Sequence, residues 1–98
     1  MRQRGKVDQN QAEIVRRLRS LGASVAILSP LGNGVPDILV GLRGRNVLME
    51  IKNVSKPKSA QRLTSAEQTF QQQWAGQYAI VRNVAEAIEV MNREVDGL

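Results

Sequence analysis

Apolar positions along the chain recur with two periods. Ile14, Val15, Leu18 and Leu21 fall on one side of a helix, so KVDQNQAEIVRRLRSLGAS, residues 6–24, predicts a first helix. Asp8 is its expected N-cap, Gln11 takes the capping-box position and Gly22 is its stop. SVAILSP, residues 24–30, has the β-branched content of a strand and ends at Pro30. LGNGV, residues 31–35, is a loop punctuated by glycine and asparagine. PDILVGL, residues 36–42, and NVLMEIK, residues 46–52, predict two strands of a hairpin joined through Arg43 and Gly44. The basic segment NVSKPKSAQR leads to a second helix with Thr64 as N-cap and Glu67 in the capping box. Ala66, Phe70 and Trp74 recur at i, i+4 and i+8 on that helix and are expected to face the core. QYAIVR, residues 77–82, predicts a fourth strand, to which no role attaches for Tyr78. Asn83 caps a last helix, with Glu86 in the box position and Val84, Ala87, Ile88 and Met91 as its apolar face.

The resulting order, α-β-β-β-α-β-α, contains an antiparallel hairpin followed by one β-α-β crossover. It predicts an α/β fold with a mixed central sheet flanked by helices. A chain of 98 residues suffices for one domain with one modest core. Residues 1–7, MRQRGKV, are expected to form a flexible basic tail. No apolar run approaches the roughly 18 residues of a bilayer span, and the N-terminus lacks the apolar centre of a signal peptide, so a cytoplasmic location is expected.

Composition narrows the chemistry. The chain has no Cys and no His, which removes disulfides, thiol nucleophiles, Cys- or His-type zinc sites and imidazole bases. Carboxylates, Lys, Tyr, hydroxyls and a hard metal ion held by oxygen remain, which favours magnesium or manganese. Fourteen Lys and Arg against nine acids give a net charge of +5, attractive to polyanions.

The hairpin carries the least expected residues. With Arg43 and Gly44 as the loop, Leu42 faces Arg45, and counting back along both strands sets Asp37 opposite Glu50. Their Cβ atoms would lie about 4.5–5.5 Å apart on one face, which Lys52 shares by alternation. Carboxylates at that spacing repel unless a cation lies between them. A divalent metal there would polarise a phosphoryl oxygen, and the amine would neutralise charge on the phosphorus centre. The Ile51 carbonyl is a natural further ligand. The bland reading is an Asp that caps a loop and a Glu-x-Lys on a solvated edge.

GVPDILVGLRGRNVLMEIK resembles the PD-(D/E)xK nuclease motif. The wider pattern DQNQAEIV, GNGVPDILVG, EIKN, RLTSAEQTF and AIVRNVAEAIEV, roughly residues 8 to 92, resembles stand-alone VRR-NUC domains of phages and bacteria. The resemblance implies a restriction-endonuclease-like core, metal ligation by Asp37 and Glu50, and Lys52 as the catalytic lysine. It also implies a further ligand in Glu13 and a glutamine near the site in Gln68. The chain departs from the family at Asn53, where an acid is common, and at Gln71, where a His is common. The function so implied is a Mg2+- or Mn2+-dependent DNA endonuclease, structure-selective for Holliday-junction-like or branched DNA and working as a homodimer. Lys56, Lys58, Arg62, Arg43, Arg45 and Gln68 are candidate nucleic-acid contacts. The alternative is a non-catalytic nucleic-acid-binding or accessory module of a DNA-processing complex, in which Asp37 and Glu50 serve as structural caps.

Overall fold

The computed structural model describes residues 9–93, so the proposed Asp8 cap and basic tail lie outside the described residues. The chain runs α1 (Gln9–Ser20), β1 (Ser24–Ile27), β2 (Ile38–Leu42), β3 (Arg45–Ile51), α2 (Lys58–Gln61), α3 (Ser65–Gln73), β4 (Tyr78–Val81) and α4 (Val84–Asn92). The order is the expected one, with a single helical turn, α2, added in the basic segment. A 3-10 turn at Ser29–Leu31 also follows β1, which ends at Ile27, earlier than Pro30 suggested.

The four strands form one sheet in the order β1-β2-β3-β4. β1–β2 and β2–β3 are antiparallel, and β3–β4 is parallel, as one crossover requires. The hairpin turn has φ of 52° at Arg43 and 81° at Gly44. Both being positive identifies a type I′ geometry, whose twist matches that of the strands. The register follows from it: Leu42 pairs with Arg45 and Ile38 with Met49.

One face of the sheet packs on α1 and α4. Ile38, Val40, Val47, Met49, Ile51 and Val81 meet Ile14, Val15 and Leu18 of α1 and Ala87, Val90 and Met91 of α4. Leu21, expected in that stripe, is 52% exposed. The helix ends first: Ala23 N–H donates to the Leu18 carbonyl at 3.1 Å and Gly22 N–H to Arg19 at 3.0 Å, a Schellman turn that swings Leu21 outward. Gly22 has φ 98°, which the turn demands.

The opposite face is covered by α3 and is held at few points. Thr64 and Glu67 form the complete capping box, with bonds of 2.9 and 3.1 Å. A Cβ on Gly34 would run into the Ala66 carbonyl, so the loop before β2 presses its bare backbone on the start of α3. No residue of α3 is buried, and Trp74, expected to face the core, is 46% exposed. At α4 Asn83 accepts from Glu86 N–H at 2.8 Å, while the Glu86 carboxylate reaches one residue further back, to Arg82 N–H. Among the described residues no helix is long and apolar enough to cross a membrane.

Candidate active site

β3 is the second strand from the β4 edge and is buried on both faces, Val47, Met49 and Ile51 towards α1 and α4, Leu48 and Glu50 on the other side. Alternation therefore turns Glu50 away from the apolar core and under α3. It is 3% exposed, the only buried charged residue among those described. Asp37 stands just ahead of β2, where the hairpin register brings it beside Glu50. Its backbone carbonyl accepts from Leu28 and Ser29, and its Oδ2 accepts from Ile51 N–H at 2.8 Å. Those bonds fix the carboxylate where the sequence placed it, between the loop and the end of β3.

Lys52 follows Ile51, its N–H donating to the Val81 carbonyl. Its Nζ lies 3.6 Å from Glu50 Oε2 and 3.0 Å from Glu67 Oε1. Glu67 is the residue that sequence reasoning missed. Its carboxylate was fully explained by the capping box, and only the docking of α3 over β3 shows that the same oxygen takes both Thr64 N–H and the lysine. The available signal was the junction of a cap with the strand bearing Glu50, which no periodicity exposes.

The electrostatics follow from three acids and one amine in a partly dry place. Burial, then the charges of Asp37 and Glu67, push Glu50 up from 4.5 to about 8, against the pull of Lys52. Burial also raises Asp37, although the Ile51 N–H opposes it. Burial alone would lower Lys52, but Glu67, Glu50 and Asp37 more than offset this and hold it above its ordinary value. Burial would likewise raise Glu67, yet the Thr64 N–H and the lysine win and lower it. Tyr78 joins the same face, since Leu48 pairs with Tyr78 and Glu50 with Ile80. Burial and the three carboxylates push its phenol up to about 12.

The other candidates lie apart from this cluster. Glu13 is exposed on α1, with no ion pair or hydrogen bond to Asp37 or Glu50 among the described residues. Gln68 is on the exposed side of α3, and Lys56, Lys58 and Arg62 are exposed on the segment leading into it. Arg43 and Arg45 sit at the far end of the hairpin and bind the C-terminus of α4: Arg45 donates to the Met91 and Arg93 carbonyls at 2.9 and 2.8 Å, and Arg43 to Asn92 Oδ1 at 3.1 Å.

Glu50 Oε1 is buried without a hydrogen-bond partner. That atom and the neighbouring Asp37 carboxylate are oxygen donors of the kind a hard divalent cation takes. Among the described residues no group of three or more Asp, Glu, His or Cys is arranged to hold a metal. Two carboxylates alone suit magnesium, which keeps waters or substrate phosphates for its other positions.

No protein-family model matches the chain, and no curated protein does. Among solved structures it is similar to one described as a VRR_NUC domain, with a TM-score of 0.57 and 25% identity, over 89% of this chain and 95% of that one.

Proposed function

We propose, on the premise that this is a VRR-NUC domain protein of restriction-endonuclease-like fold, that it is a PD-(D/E)xK nuclease which hydrolyses DNA phosphodiesters with Mg2+ or Mn2+. One observation carries the reading: Glu50, only 3% exposed, stands beside Asp37 with an oxygen unpartnered. Such an arrangement costs stability unless something at the site uses it. Asp37, Glu50 and the Ile51 carbonyl would hold the ion, which supplies Lewis-acid stabilisation of charge at the phosphate.

The chain's own residues do the rest. Lys52 stays protonated between Glu50 and Glu67 and donates to a phosphate oxygen where negative charge builds. Glu67 keeps the amine from swinging into solvent, and the Ile51 N–H aims the Asp37 carboxylate. Exposed Lys56, Lys58 and Arg62 supply phosphate contacts that set the strand on the site.

Branched DNA is the proposed substrate class, the four-way junction first. Two symmetric cuts on a junction need two copies of this one site, hence a homodimer, read as a doubled mass in light scattering. The test of the whole reading compares wild type with Lys52→Ala on labelled junction, flap and linear duplex, with magnesium, manganese or chelator. Wild type is expected to cut only with metal, the junction fastest. The variant should still bind the junction but cut about 100-fold more slowly or worse. Undiminished cutting by the variant, or no cutting by wild type with either metal, overturns it.

A further inference from the structure

The chain contains one Phe, one Tyr and one Trp, and all three stand together. Phe70 and Trp74 are stacked with ring centroids 5.3 Å apart and planes 16° apart, and Tyr78 lies 6.4 Å from Phe70. None belongs to the apolar core, which is built from Ile, Val, Leu, Met and Ala. Aromatic rings bury about 150–250 Å² each and ordinarily dominate a small core. Here the core does without them, and Trp74 leaves 46% of its surface in solvent.

Their position relates them to the acids. Glu67 and Phe70 stand at i and i+3 on one side of α3, and Trp74, the residue that caps its C-terminus, stacks on Phe70. The row thus begins at the carboxylate that holds Lys52 at 3.0 Å and ends at the exposed indole. Tyr78 rises from the sheet on the Glu50 side and closes the gap to Phe70. A Cβ on Gly76 would come within 2.9 Å of Trp74 Nε1, so the bare Gly76 backbone seats the indole. Lys56, Lys58 and Arg62, all exposed, give the approach to α3 a positive charge.

We propose that Trp74, backed by Phe70, is a stacking platform for an unpaired nucleobase on a strand whose backbone passes Asp37, Glu50 and Lys52. The strand's path rests on the nuclease reading; stacking itself requires no cleavage. Every base has a π-face, so the platform accepts any sequence. Bases inside a duplex already stack on one another, so it favours ends, flaps and the open centres of junctions. It therefore gives the selectivity for branched DNA a physical source.

Trp74 is the chain's only tryptophan, so its fluorescence reports on itself alone. Wild type and Lys52→Ala would be titrated in chelator with oligothymidylate and with an abasic sugar-phosphate chain of equal length and charge. Both proteins are expected to show quenched emission with oligothymidylate and to bind it about tenfold more tightly than the abasic chain. Trp74→Ala should abolish that preference while keeping the abasic affinity and a cooperative thermal transition, its midpoint lowered by the lost stacking on Phe70, and Trp74→Phe should retain part of the preference. Equal affinity of wild type for the two chains overturns the proposal, as does a preference that survives Trp74→Ala. Metal-dependent cutting without base-dependent quenching would sink the platform alone. Quenching without any cutting would sink the nuclease reading and leave the platform standing.

Discussion

Glu50 titrates in the wrong direction for an ordinary surface acid, and the sign has a consequence for stability. Between 4.5 and about 8 the folded chain holds a proton that the unfolded chain has already released. Its contribution is therefore fully present below the lower value and is lost as pH rises through the upper one. Asp37, also raised, acts in the same sense, while lowered Glu67 loses its contribution only as the solution turns acidic. The metal-free protein should lose stability from about pH 5 to about pH 8, and Glu50→Gln should flatten that slope. Urea midpoints at the two ends check this; a wild-type midpoint that rises with pH would contradict it. A divalent ion that takes the proton's place should release up to about one proton near neutral pH, measurable by calorimetry in two buffers. At this level placement was legible where one hairpin carried the information. Asp37, Glu50 and Lys52 follow from alternation and a two-residue turn. Glu67 and Tyr78 join them only through the docking of other elements, which no local pattern encodes.

The hairpin and α4 depend on each other at the end away from the acids. α4 finishes with unpaired carbonyls, as every helix does, and the guanidinium groups of Arg43 and Arg45 take the place of an internal cap. A residue read as a phosphate contact from its charge is thus engaged in holding an element. Arg45→Ala should lower stability by about 1–3 kcal/mol, since a charged donor to several carbonyls is lost. Its effect on DNA affinity should be smaller than that of Lys58→Ala. Thermal melts and a binding titration on the two variants separate the roles, and the reverse ranking would return Arg45 to the nucleic-acid surface. The Schellman turn at Gly22 and the type I′ turn at Arg43–Gly44 belong to the same level. Both were legible through their glycines, Gly22 and Gly44, which take the positive φ that other residues rarely adopt, whereas Arg43 at φ 52° carries no such mark. The outward turn of Leu21 was not legible, since periodicity alone does not say where a stripe stops.

Over the whole chain, the two sides of the sheet divide the work. One side is closed by α1 and α4 around an aliphatic core; the other holds the acids, the lysine and the rings beneath a lightly anchored α3. A net charge of +5 with exposed Lys56, Lys58 and Arg62 near the second side predicts strongly salt-dependent binding. Replacing any one of the three by Ala should reduce the slope of log affinity against log salt by about one, for junction and duplex alike. An unchanged slope would remove that residue from the strand's path.

Element order, the hairpin register, the Thr64–Glu67 capping box, the Asn83 cap and the placement of Asp37, Glu50 and Lys52 together were determined by the sequence alone, because each rests on interactions within a few residues or across one tight turn. What the rings do, which acid holds the lysine and where the hairpin arginines go were decided by tertiary structure. Those outcomes depend on which face of α3 and which end of α4 meet the sheet. That choice is made by the summed burial of many aliphatic side chains, and no single segment carries it.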